Sequence, residues 1–190
     1  RQTASERGEG GVFLLQEMAR FNDLILVVNK SLVLLKKAIK GLVVMSGELE
    51  KMFQCFLFQQ VPAAWENAAY PSLKPLEAWT EDFFDRTEFT RKWLQDGPPN
   101  SYWLSGFYFP QGFMTAVLQT HSRRTKIAVD TLAFQTVVTS MEPESINHCI
   151  EVGVHVHGLY MQGARFNVES MTMGESLKAE LFFPMPAIRL

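Results

Sequence analysis

Apolar residues recur at helical spacing through the first two thirds of this chain and change to an alternating pattern in the last third. From about Phe13 the spacing predicts a helix, with Leu24, Val28, Leu32, Leu35 and Ile39 on one stripe. Lys30, Lys36, Lys37 and Lys40 lie off that stripe, three of them near its C-terminal end, where cations favour the helix dipole. Gly41 marks the break. Ser46 is placed to cap a second helix, with Glu48 and Glu50 in its first turn. Leu49, Met52, Phe53, Phe56 and Leu57 form the apolar face of that helix. Two helices joined by a short connection predict an antiparallel hairpin. Val61-Pro62 and the segment AYPSLKPL (69–76) then interrupt the pattern, because closely spaced prolines impose an extended path. A third helix is predicted from about Glu77 to Gln95, with Trp79, Phe83, Thr90 and Leu94 on one side. The run Asp96-Gly97-Pro98-Pro99 ends it.

Next comes YWLSGFYF (102–109), an aromatic run that reads as a buried strand or extended segment. Pro110 suits the first turn of a further helix, since its fixed φ is helical and its missing N–H costs nothing there. Phe113, Met114, Val117, Leu118 and His121 line that helix. After Asp130 the period becomes two, and Leu132–Thr139 reads as a half-buried strand. Val152–Met161 and Leu177–Phe183 read as two more strands, with Gly163 and Met173–Ser176 as loop material. Helices followed by strands define an α+β fold. The expectation is a flexible lead-in over 1–11, a helical hairpin or bundle over 12–126 and an antiparallel β lobe over 127–190. A chain that starts at Arg1 and stops at Leu190 within a strand-like pattern reads as cut at both ends, so the lobe is expected to be an incomplete, barrel-like one.

With 190 residues, 47% of them hydrophobic and 20% charged, the chain has the balance of a folded protein and the length for one domain with a substantial core or two small ones. Its 15 Phe, 4 Trp and 4 Tyr exceed what a minimal core needs and point to contacts with neighbouring domains. A net charge of −2 gives no electrostatic reason to expect nucleic acid or an acidic membrane as partner. Cys55 and Cys149 stand far apart, which favours a reducing compartment over a disulfide framework. Neither a membrane-spanning run nor a signal peptide is legible.

Catalytic motifs are absent. Gly nowhere precedes Lys, which excludes a P-loop, and HExxH, GxSxG and GxGxxG do not occur. His155-x-His157 is the nearest approach to a metal site, with His148 and Cys149 close in sequence, yet packed or surface histidines are the more common outcome. A dyad of His148 and Cys149 fails because neighbours on a strand point to opposite faces. Glu81, Asp82, Asp85 and Glu88 read as a solvated helix face rather than an acid pair. Arg123, Arg124 and Lys126 read as cations satisfying a helix end. The YWLSGFYF run reads as core before ligand wall.

Four strings carry a resemblance. GLVVMSGELE (41–50), AYPSLKPLEAW (69–79), SYWLSGFYFPQGFMTAVLQ (101–119) and VHGLYMQGARFN (156–167) are similar to the C-terminal region of dynein heavy chains, in the family's order, and the similarity runs from about Phe13 to Leu190. The phrasing is closer to axonemal than to cytoplasmic heavy chains. Residues 1–11 match nothing in the family, and Gly47 stands where the family often has Ser. The resemblance implies a non-catalytic region lying on one face of a ring of six AAA+ modules, with helices leading into a barrel-like β lobe. It implies that ATP and Mg, and the microtubule-binding stalk, belong to other parts of a minus-end-directed motor of ciliary and flagellar movement. No cofactor is expected in this piece. The implied partners are AAA+ modules of the same chain and, through the parent, other dynein subunits and microtubules; the implied location is the axoneme of the cytoskeleton. The expected docking residues are Tyr70, Pro71, Trp79, Trp103, Phe107, Phe109 and Phe113, some of which must serve the domain's own core. A free-standing protein-interaction module is the alternative, and a cryptic enzyme around His148, Cys149, His155 and His157 is a distant third.

Overall fold

The computed structural model describes residues 6–190, with side chains described from residue 11 onward. Among them are five α-helices: α1 (Glu6–Ile39), α2 (Gly47–Leu57), α3 (Ala63–Ala68), α4 (Leu76–Asp96) and α5 (Pro110–Thr125). One short strand, at Ser101–Trp103, precedes α5 and the others follow it, giving the α+β order. The flexible lead-in expected over 1–11 falls, for residues 1–5, outside the described residues; from Glu6 the chain is already helical. Helix growth is cooperative, so each residue added to a formed helix gains a hydrogen bond, and propagation from the apolar part of α1 carries the helix back through the poor helix formers Gly8, Gly10 and Gly11. The chain divides into two compact units, one of Leu14–Lys92 and one of Trp93–Leu190 with the chain up to Phe13. The change from helix to strand falls elsewhere, after Thr125 at the end of α5.

In the Leu14–Lys92 unit, α1 buries Leu14, Glu17, Phe21, Leu24, Leu35 and Ala38, with Val28 and Ser31 half-buried. These alternate at three and four residues, which traces one line along a helix. The expected stripe shares Leu24, Val28 and Leu35 with this line, but Leu32 and Ile39 are 41% and 58% exposed. The cause is that α1 carries apolar residues beyond its buried line, while that line itself turns polar at Glu17 and Ser31. Ser31 accepts a 2.9 Å hydrogen bond from Trp65 Nε1, and Trp65 is itself buried on α3. That helix has only six residues, too few for a period to announce it. On α2, Ser46 caps as expected, its hydroxyl accepting from the Leu49 amide, and Leu49 and Met52 are buried. Phe53 and Leu57 stay exposed.

In the other unit, Pro110 opens α5 and Phe113 is buried on it. Strands β1 (Ser101–Trp103), β2 (Val137–Val138), β3 (His155–His157) and β8 (Ile188–Arg189) form one sheet in the order β1-β3-β8-β2. Its β1–β3 pair is parallel and the others antiparallel. β4 (Tyr160–Gln162) pairs with β7 (Phe182–Pro184), and β5 (Ala164–Asn167) with β6 (Thr172–Glu175), both antiparallel. Among the described residues these are three small open sheets, with no closed barrel.

The three long strands expected from alternation are therefore shorter pieces. Over Leu132–Gln135 the burial does alternate, but the ladder forms only at Val137–Val138. Alternation reports an extended, half-buried chain; pairing needs a neighbour as well. Val152–Met161 is split because Gly158 adopts φ +79°, and a Cβ there would fall 2.3 Å from the Trp103 ring. The β6 strand, expected as loop, is exposed along its whole length and so carries no apolar alternation.

Candidate functional site

The seven expected docking residues fall into two sets, one in each unit. In the Leu14–Lys92 unit Tyr70 and Trp79 are buried, Trp79 to 1% exposure, whereas Pro71 is exposed. Trp79 lies between the rings of Trp65, Tyr70 and Phe83, with centroids at 5.7, 6.2 and 5.5 Å. Tyr70, Pro71 and Trp79 join Val61, Glu66 and Leu73 around an open pocket of about 460 Å³. In the other unit Phe107 and Phe113 are buried, their centroids 5.0 Å apart and both packed on Phe13. Trp103 is half-buried and Phe109 exposed. Of the seven, Pro71, Trp103 and Phe109 keep surface to offer; the other four fill the cores of their own units.

Beneath the pocket wall lies a charged group that sequence reasoning placed in solvent. Asp82 is buried, not solvated, and its carboxylate meets Lys74 Nζ at 2.7 Å and Arg86 Nε at 2.6 Å. The Arg86 guanidinium in turn sits 3.8 Å from the centre of the Tyr70 ring. Burial pushes the Asp82 pKa up, but the hydrogen bonds from Lys74 and Arg86 and the Arg86 charge outweigh it, and the carboxyl ends below its ordinary value. The available signal was position: Asp82 and Arg86 are four apart and share a face with Trp79, Phe83 and Thr90. Glu81 and Asp85 are exposed, and Glu88 pairs with Arg91.

His155 is buried on β3, and its Nδ1 has no hydrogen-bond partner among the described residues. Burial, then His148 and Arg189, hold its pKa below the usual imidazole value. His157 Nδ1 lies 2.8 Å from Ser101 Oγ, and burial lowers its pKa too, against an opposing pull from Glu144. Cys149 and His148 are exposed, the thiol 3.3 Å from Asn100 Oδ1. Among the described residues no three His, Cys, Asp or Glu side chains converge in a way that could hold a metal ion. Arg123, Arg124 and Lys126 are exposed, and Arg124 donates to the Glu151 carbonyl.

The histidines set an acid limit on their unit. Their folded pKa values lie below the unfolded value of about 6.5, so on acidification the unfolded chain binds protons first. Their contribution is complete above about pH 6.5 and is lost as the pH falls through the folded values. Urea midpoints are expected to drop between about pH 7 and pH 5.5, and to drop less in His155→Gln. A midpoint that stays level across that window would contradict the assignment.

Exposed apolar residues also lie along α1, among its exposed lysines, and through the connection to α2. Leu15, Leu26, Val33 and Ile39 on α1 are 65%, 64%, 46% and 58% exposed, and Leu42 and Val44 in the connection reach 71% and 88%. On α2, Leu57 is 64% exposed, and Phe58 just beyond it 70%. Large apolar side chains exposed in such number mark a surface that expects cover. No helix among the described residues is long and apolar enough to cross a membrane.

The geometry thus defines an α+β domain with an aromatic core in each unit and a broad apolar surface left open on its N-terminal helices. The chain belongs to the family defined by the C-terminal domain of dynein heavy chains, whose model matches residues 8–190. It is 42% identical over 177 residues to dynein axonemal heavy chain 1 of Homo sapiens, and 44% identical over the same length to dynein axonemal heavy chain 3 of Homo sapiens. Identity is 42% over 177 residues to the dynein-1-beta heavy chain, flagellar inner arm I1 complex, of Chlamydomonas reinhardtii. Each match takes in 93% of this chain and 4% of the relative, so the chain spans a small fraction of the length of these proteins.

Proposed function

We propose that this chain is the non-catalytic C-terminal part of an axonemal-type dynein heavy chain, docked on the AAA+ ring of its own polypeptide. In that position it braces ring modules and tunes a minus-end-directed, ATP-driven microtubule motor in cilia or flagella. ATP and Mg bind elsewhere in the parent chain, and other dynein subunits and microtubules are reached through it. Family membership and the axonemal and flagellar names of the relatives support the setting. The observation that carries the docking is the exposed apolar side of α1 and of the Leu42–Met45 connection, which is the kind of surface that a neighbouring domain covers.

The test is made in the intact heavy chain. Replacing Leu26, Val33 and Val44 together by Asp is expected to raise hydrogen exchange in α1 and α2 and to alter microtubule gliding velocity. Nucleotide affinity at the ring is expected to be unchanged. An ATP affinity that fell in proportion to the lost protection would contradict this division of labour. A native polypeptide of only about this chain's 21.6 kDa, with no ATP-dependent release from microtubules, would favour the free-standing interaction module instead.

A further inference from the structure

Charge is distributed along the open surface in a way that docking alone does not explain. Residues 24–47 contain four lysines and no Asp or Glu, in a chain whose net charge is −2. All four, Lys30, Lys36, Lys37 and Lys40, are exposed, and none forms an ion pair among the described residues. At 100° per residue they project within about 60° of the direction of Val33, the side opposite the buried line. Immediately after them, Leu42, Val43, Val44 and Met45 make a run of four exposed apolar residues.

Two plainer accounts fall short. Cations near a helix C-terminus favour the dipole, but that effect fades within the last turn and does not reach Lys30. Lysines also keep a surface soluble, yet a soluble surface avoids four exposed apolar residues in succession. A row of cations leading up to an apolar patch instead has the form of one half of an interface, in which charge orients the encounter and apolar burial holds it.

Resting on the docking reading above, we infer that the C-terminal end of α1 and the Leu42–Met45 connection bind a folded protein surface that presents an apolar hollow rimmed by Asp and Glu carboxylates. The Lys30, Lys36, Lys37 and Lys40 ammonium groups donate charge-assisted hydrogen bonds to the rim, while Leu42 and Val44, the most exposed of the four, enter the hollow. Such a contact weakens with salt, because its ion pairs lie at the edge of the interface within reach of counterions.

The experiment uses the intact heavy chain and a carbodiimide, which joins an amine to a carboxylate only where the two are in direct contact. Cross-links from Lys36, Lys37 or Lys40 to Asp or Glu outside this domain are expected at low ionic strength. They should fall severalfold at high salt and disappear in K36E/K37E/K40E. Radical footprinting of Leu42–Met45 is read in parallel. A protected Leu42–Met45 without lysine cross-links would overturn the acidic rim and leave docking standing. If the segment labels as freely as in the denatured chain, docking itself fails. Cross-links joining only two copies of the heavy chain would assign the surface to self-association. Flotation with phosphatidylserine vesicles that K36E/K37E/K40E abolishes would assign it to a bilayer, and either result overturns the inference.

Discussion

Truncation of Trp79 to alanine is expected to destabilise the Leu14–Lys92 unit by about 3–5 kcal/mol, the range for removing a large aromatic from a packed core. The side chain is 1% exposed and stands between three other rings, so its loss opens a cavity that stiff neighbours cannot collapse into. Aromatic contacts of this kind contribute beyond their buried area. Phe109, by contrast, is 47% exposed, and Phe109→Ala is expected to cost well under about 1 kcal/mol. The pair separates core from surface within the one set of expected docking residues. Chemical denaturation of the chain reads the difference, and local hydrogen exchange in the intact heavy chain reads it in place. Equal losses for the two variants would show that this sorting by burial is mistaken.

Breaking the buried ion pair should have a comparable effect for a different reason. With Asp82→Ala the Arg86 guanidinium, only 11% exposed, keeps its charge and loses its Asp82 partner, and breaking a buried pair by removing one member costs about 3–5 kcal/mol. The net worth of the pair is much smaller than that figure. A double variant with apolar residues at both Asp82 and Arg86 is therefore expected to recover most of the loss. Acid should mimic the single variant. The folded pKa of Asp82 is lowered, so its contribution is complete above the ordinary carboxylate range and disappears as the pH falls through the folded value. Unfolding of Asp82→Ala is accordingly expected to depend less on pH below about 4 than that of the parent. A double variant no more stable than Asp82→Ala would mean that packing around Tyr70, not charge, is what the site provides.

Trp79 and Asp82 also mark where one-dimensional reading succeeds and where it stops. Trp79 was legible as an inward residue from its spacing to Phe83 and Thr90. Asp82 was not, because an acidic residue among Glu81, Asp85 and Glu88 looks solvated until its partners are known. One partner, Arg86, was four residues away; the other, Lys74, came from the proline-interrupted segment, whose path no period describes. The β region shows the same division. Extended, alternating chain was visible over Leu132–Gln135, yet the ladder forms only at Val137–Val138, whose partners Arg189 and Ile188 stand far along the chain.

The residues alone were enough for the order of helices before strands, for Ser46 and Pro110 as helix starts, and for the family, because spacing, caps and extended motifs are local properties of a polypeptide. Tertiary structure decided the rest. It set which line of α1 is buried, which aromatics belong to a core and which face outward, and that β1 joins β3 in parallel. Burial and pairing are relations between distant residues, and their free energy exists only once those residues have met.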